Sequence, residues 1–157
     1  MDWPWLVLIG TVGIVVAGAV VLALVLLRPH RVPVEQARRL FLMQREHLEA
    51  HFLRAANASG RPRGLRWKEC DWEHEVLFAR DRQSGELTAL VGVTIRFEAV
   101  PGGDMEGVAA VGNLRNASAV FFFRGGRWQT QGKAVFNLNP GEALEHFKNQ
   151  YERVENG

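Results

Sequence analysis

The chain has 157 residues, of which 47% are hydrophobic and 23% charged, a balance that excludes a disordered chain and suits one domain of ordinary size. Its 19 basic side chains face 16 acidic ones once Asp2 is set aside. That excess is small and no basic stripe interleaves the aromatics, so nucleic acid is excluded as the expected partner. A single cysteine, Cys70, excludes an intramolecular disulfide.

The charge is unevenly spread. Residues 3–27 (WPWLVLIGTVGIVVAGAVVLALVLL) carry none. As a helix this run spans about 37 Å at 1.5 Å per residue, against a hydrocarbon core of about 30 Å. Residues 1–27 therefore read as a transmembrane anchor, with Trp3 and Trp5 suited to the membrane interface. A cleaved signal peptide is the weaker reading, because Met1-Asp2 offers no basic residue and the apolar run is too long. Gly10, Gly13 and Ala17 fall near one face of the span and form a small-residue strip that suits close helix–helix packing.

Residues 28–33 (RPHRVP) form a short basic linker stiffened by two prolines. Arg28, Arg31, Arg38 and Arg39 follow the span, and nothing basic precedes it except the amino terminus. The positive-inside rule then places the N-terminus outside and the domain of residues 34–157 in the cytoplasm. Each of these arginines also stands to gain about 1 kcal/mol from anionic lipid.

From Val34 to about Ala56 the apolar residues recur at helical spacing: Val34, Ala37, Phe41, Leu48, Phe52 and Ala55. The spacing predicts an amphipathic helix, ended by the Gly- and Pro-rich segment NASGRPRG. His47 and His51 lie on one face of that helix, one turn apart. A zinc-protease motif would need Glu directly after the first His, and here Glu49 stands two positions on.

Residues 65–138 read as antiparallel sheet of four to six strands. LRWKECDW, EHEVLFARD and ELTALVGVTIRFEAV are strand segments, with RQSG as a hairpin loop and Gly92 as a bulge or bend. Residues 105–116 are ambiguous between an edge strand and a loop. AVFFFRGGRW is a hairpin turning at Gly125-Gly126. Residues 139–154 (NPGEALEHFKNQYERV) close the domain as a helix with Leu144, Phe147 and Tyr151 as its stripe.

The fold class is thus α+β. Two helices are expected on one face of a bent antiparallel sheet, an order of elements similar to the cystatin-like and nuclear-transport-factor-2-like shapes. No motif accompanies that likeness, and no cofactor, metal site or catalytic residue is indicated.

Alternation along the strands sorts the side chains. Pairing through Gly125-Gly126 puts Ala119, Phe121, Phe123, Trp128, Thr130, Ala134, Phe136 and Leu138 on a core face. Phe122 projects to the other side among Gln129, Gln131 and Lys133. Through RQSG, Leu77 meets Leu90 on that second face. Leu77, Leu90, Val120 and Phe122 form a candidate partner surface on an otherwise polar face.

Two functions follow. The first is a membrane-anchored accessory or scaffold protein that binds a protein partner or self-associates through this surface. The alternative is a small-molecule-binding or enzymatic domain with a pocket between the bent sheet and the first helix, for which His74, Arg80 and Thr130 are the polar candidates.

Overall fold

A computed structural model describes residue 18, residues 33–60 and residues 62–154. Gly10, Gly13, Ala17, Arg28 and Arg31, and the proposed anchor and linker except Gly18 and Pro33, lie outside the described residues. Among the described residues no helix is long and apolar enough to cross a membrane.

The elements are α1 (Val34–Ala58), β1 (Leu65–Asp81), β2 (Leu87–Ala99), a 3-10 turn (Ala109–Gly112), β3 (Arg115–Arg124), β4 (Arg127–Gln129), β5 (Ala134–Phe136), α2 (Pro140–His146) and β6 (Tyr151–Arg153). The six strands form one sheet in the order β4-β3-β2-β1-β6, and every pair is antiparallel. β5 lies along the same edge of β3 as β4. The ambiguous segment 105–116 is therefore mostly loop, with strand only from Arg115.

Two irregularities set the faces of β1. The register passes from Trp67↔Phe97 to Glu69↔Arg96, so Lys68 is an extra residue. It then passes from Trp72↔Val93 to Val76↔Val91, so residues 73–75 together oppose Gly92. The first bulge lets Trp67, Cys70 and Trp72 share the face of Val76 and Phe78, which plain alternation would forbid.

Gly92 leaves room for a neighbouring side chain at the second bulge. A Cβ there would lie 2.0 Å from Oε2 of Glu73, whose carboxylate occupies that space. Arg45 of α1 stitches the bulge from the other side. Its Nη1 donates to the His74 carbonyl at 2.7 Å, its Nη2 donates to the Glu73 carbonyl, and its Nε donates to Glu49 Oε1 at 2.7 Å.

α1 buries Ala37, Phe41, Leu48, Phe52 and Ala56 against this face. The space between helix and sheet is filled by aromatic rings. Phe41 meets Trp128, Phe121 and Phe78 edge-on at centroid distances of 5.0, 5.3 and 5.8 Å. Phe52 meets Trp72 and Trp67 in the same way at 5.4 and 5.7 Å. Edge-to-face pairs at these distances add to the stabilisation from buried area. Trp128 Nε1 also donates to the Ala37 carbonyl at 2.7 Å.

The far end of α1 is tied down by Asn57. Its amide pairs with the backbone of Trp67 in both directions, Nδ2 to O at 3.1 Å and N to Oδ1 at 2.9 Å. Asn57→Ala leaves both Trp67 groups without this partner, and a loss of about 1–3 kcal/mol is expected. Denaturant unfolding of the variant, with unchanged slope, checks it.

The helices lie on opposite faces of the sheet, not on one. Ala143 and Leu144 of α2 pack on Leu77, Ala79 and Leu90, whose sequence neighbours Phe78, Ala89 and Val91 face α1. The layers run α1, sheet, α2. This departs from the arrangement expected from the order of elements, because the second face carries enough apolar residues to need a cover of its own.

The C-terminal helix is also shorter than its pattern suggests. It begins with Pro140 behind a capping box: Glu142 N donates to Asn139 Oδ1 and Asn139 N to Glu142 Oε2, both at 2.9 Å. It stops at His146, where turn hydrogen bonds from Gln150 and Tyr151 return to the Phe147 carbonyl. Tyr151–Arg153 then pair with Ala79–Asp81 and complete the edge of β1. A further helical turn would leave those β1 groups without a strand partner.

Candidate binding groove

The sheet edge opposite β6, formed by β4 and β5, borders a concavity. β4 and β5 are one strand interrupted at residues 130–133. The register changes from Phe122↔Gln129 to Ala119↔Ala134, two residues more on the outer strand. Thr130 holds the interruption. Its Oγ1 donates to the Val120 carbonyl at 3.0 Å and accepts from Gly132 N at 3.1 Å.

Gly132, at φ +69°, sits directly against α1. A Cβ at that position would lie 2.2 Å from Ala56 N and 2.6 Å from the Ala55 carbonyl carbon. The close approach leaves Gln131 and Lys133 exposed beside it.

Beyond this bulge a cavity of about 900 Å³ runs along residues 131–136. One wall comes from the α1 side, with Ser59, Pro62 and Trp67. The other comes from the α2 side, with Ala143, Phe147, Gln150 and Tyr151. Leu90, Val120 and Val135 add apolar surface from the sheet, and among the described residues Lys133 is the one charged side chain lining it. A smaller cleft of about 180 Å³ shares Val120, Gln131, Lys133 and Tyr151 and reaches Phe122, Asp81 and Glu86.

The polar margin is ordered. Gln150 Nε2 contacts Tyr151 Oη at 3.2 Å and Asp81 Oδ2 at 3.4 Å. Burial, with the nearby Asp81 and Glu86 carboxylates, pushes the Tyr151 phenol above its ordinary value, so it remains a hydrogen-bond donor at neutral pH. Asp81 is held below the usual carboxylate range, chiefly by the Ser84 backbone N–H and hydroxyl. Arg124 grips Glu86 through Nε and Nη2 at 2.7 and 3.1 Å and lies 5.2 Å over the Phe122 ring.

The four residues of the expected partner surface have separate fates. Leu77 and Leu90 are paired and adjacent, as the hairpin predicted, but α2 packs on both and they are buried, Leu90 with its remaining surface at the cavity wall. Val120 and Phe122 are half-buried and face the cavity and the cleft. The candidate surface therefore lies at the sheet edge and not at the middle of the second face. Leu138 likewise leaves the face assigned to it and packs with Val120 and Val135. Asn137, at φ +61°, turns the chain just before it.

The three polar candidates of the alternative reading do not converge. His74 is exposed in the bulge of β1. Arg80 Nη1 donates to the Gly85 carbonyl at 2.7 Å in the first hairpin loop. Thr130 holds the opposite edge. The expected pocket between sheet and α1 is occupied by the aromatic rings, so the cavity opens elsewhere.

Arg38 is not on the surface. Its guanidinium is buried, lies 5.1 Å over the Phe78 ring and donates through Nη2 to the Val154 carbonyl at 2.9 Å. It anchors the end of β6 to α1 and is unavailable to lipid. Arg39 is exposed on α1. His47 and His51 are exposed as well.

Cys70 faces the α1 layer in the middle of β1. Burial, helped by the Asp71 carboxylate, pushes its thiol up to about 12. The thiolate is the reactive form, so slow labelling is expected. With 4,4'-dithiodipyridine at pH 8, the folded chain should react well below the rate of the same chain in guanidinium. Equal rates would show that the thiol is not shielded.

Sequence reasoning missed Gln131, Lys133, Val135, Phe147 and Tyr151 as one lining. The signal present was QGK, where a glycine interrupts an otherwise alternating strand. No family model, curated protein or solved structure matches the chain.

Proposed function

We propose that this chain is a membrane-anchored, non-enzymatic binding protein. Residues 1–27 form the anchor, the basic residues after them keep residues 34–157 in the cytoplasm, and the groove along residues 131–136 holds a protein partner. The observation that carries the reading is the groove itself: about 900 Å³, open at a sheet edge, with apolar walls and Lys133 as its one charge among the described residues. Catalysis calls for several convergent titratable groups. Here Cys70 faces α1, while His74 is exposed on a bulge.

A second reading has one observation in its favour. The same volume lies within the roughly 300–1,000 Å³ of ordinary ligand pockets, so a small molecule with an apolar body is the competing occupant.

Site-specific photo-crosslinking of the full chain in cells tests both parts. A photoreactive residue in place of Gln131 should give a discrete adduct with another protein in the membrane fraction. The same probe in place of His51, exposed on α1, should give none. No protein adduct from position 131, or the same adducts from both positions, overturns the partner. Release of the chain from membranes by alkaline carbonate overturns the anchor.

A further inference from the structure

Resting on that reading, we infer that the occupant of the groove is an extended segment of another protein, added as a strand to the free edge of β5 and carrying a carboxylate opposite Lys133.

The backbone directs this. Val120 N donates to the Lys133 carbonyl at 3.0 Å, and Asn137 N donates to the Asn116 carbonyl at 2.8 Å. In an antiparallel ladder such inward-bonded residues alternate with residues whose N–H and C=O point the other way. Ala134 and Phe136, between Lys133 and Asn137, therefore turn their backbone groups away from β3. Among the described residues no strand lies beyond β5. An unpaired edge of this kind is a template for strand addition.

The walls supply what bare edges lack. Side chains of an added strand alternate between the two faces of the sheet. One set would meet Trp67 and Phe136, whose rings lie 5.9 Å apart. Phe136 keeps 37% of its surface exposed there. The other set would meet Val135 and Phe147, with Lys133 on the same side. This arrangement selects apolar residues at alternate positions and one acidic residue.

A second copy of β5 does not fit the charge. Its segment QGKAVFN contains a lysine and no acid, so self-pairing would bring a second cation to the lysine without a counter-charge. The edge is also only three residues long, which limits indiscriminate pairing.

The test uses the full chain in lipid nanodiscs. The probes are acetylated, amidated hexapeptides with valine at alternate positions and one glutamate stepped along the rest. At least one should bind saturably, compete with crosslinking from position 131, and lose binding when its backbone is N-methylated. Replacing its glutamate by glutamine, or making Lys133→Gln, should each weaken it roughly fivefold, as for a partly exposed ion pair. Ala134→Pro should abolish binding, because it removes an outward N–H and no ladder bond. Far-UV dichroism of that variant reports whether it has folded, and the N-methylated peptide tests the same point without altering the protein.

Equal binding of the N-methylated peptide, or no binding by any hexapeptide, overturns strand addition. Decanoate bound in the groove in place of peptides overturns it in favour of a single-chain anion. If position 131 captures a protein while every hexapeptide fails, only strand addition falls. If position 131 captures nothing, the partner reading falls with it.

Discussion

Gly132→Ala should unfold the domain or come close to it. Two costs combine at this residue. Its φ of +69° is one an L-residue adopts only at roughly 1–2 kcal/mol. The added Cβ would also stand 2.2 Å from a backbone nitrogen of α1, and helix backbone cannot rotate aside as a side chain can. Relief requires either α1 or the β4–β5 bulge to move, which breaks the close packing of Ala55 and Ala56 against the sheet edge. A loss of more than about 4 kcal/mol is expected, the range reserved for distinct mechanisms of this kind. Gly126→Ala is the control. Gly126 has φ +78° and nothing within 4 Å of a built Cβ, so it should lose only about 1–2 kcal/mol. Chemical denaturation of the two variants side by side decides the matter. Similar midpoints would mean that the contact with α1 contributes nothing.

Trp128→Ala carries the second large effect. The indole is buried on three aromatic neighbours, Phe41, Phe78 and Phe123, at 5.0, 5.8 and 5.2 Å. Truncation leaves a cavity bounded by α1 and the sheet, for which about 3–5 kcal/mol is the usual cost. The hydrogen bond to Ala37 can be separated from the packing. Trp128→Phe keeps an aromatic ring and loses the donor, and should cost about 1 kcal/mol for the bond plus whatever repacking the smaller ring needs. Near-UV dichroism and the denaturation midpoint check both variants. A Trp128→Phe loss as large as that of Trp128→Ala would place the stabilisation in the hydrogen bond.

These two residues mark different degrees of legibility. Trp128 was readable. The Gly125-Gly126 turn pairs it with Phe123, and alternation carries Phe121 to the same side, as the strands show. Phe122 fell on the second face for the same reason. Gly132 was not readable as a helix contact, because its neighbour is some 75 residues away along the chain, at Ala56–Gly132. A strand bulge and a helix contact leave the same mark in sequence, a lone glycine.

The groove was hidden by a related ambiguity. Leu144, Phe147 and Tyr151 recur at helical spacing, which argued for one helix. In the fold, Leu144 belongs to α2, Phe147 to a turn and Tyr151 to β6. Their spacing serves a different geometry, in which all three turn toward the second face. The same step buried Leu77 and Leu90, which local alternation had left as an exposed surface. Alternation tells which residues share a face. It carries no information on what later segment returns to cover that face.

What the sequence determined by itself is local: the amphipathic stripe of α1, the two hairpins and their registers through RQSG and Gly125-Gly126, the bulge at Gly92 and the start of α2 at Asn139-Pro140. Each follows from side-chain period, turn chemistry or capping within a few residues, where the backbone has few alternatives. Tertiary structure decided the rest. It placed α2 opposite α1, buried Arg38 beneath the end of β6, covered Leu77 and Leu90, and left the outer edge of β5 open between two apolar walls. Those outcomes depend on contacts between segments far apart in the chain. There, buried area and backbone pairing compete across the whole domain, and local pattern cannot rank the competitors.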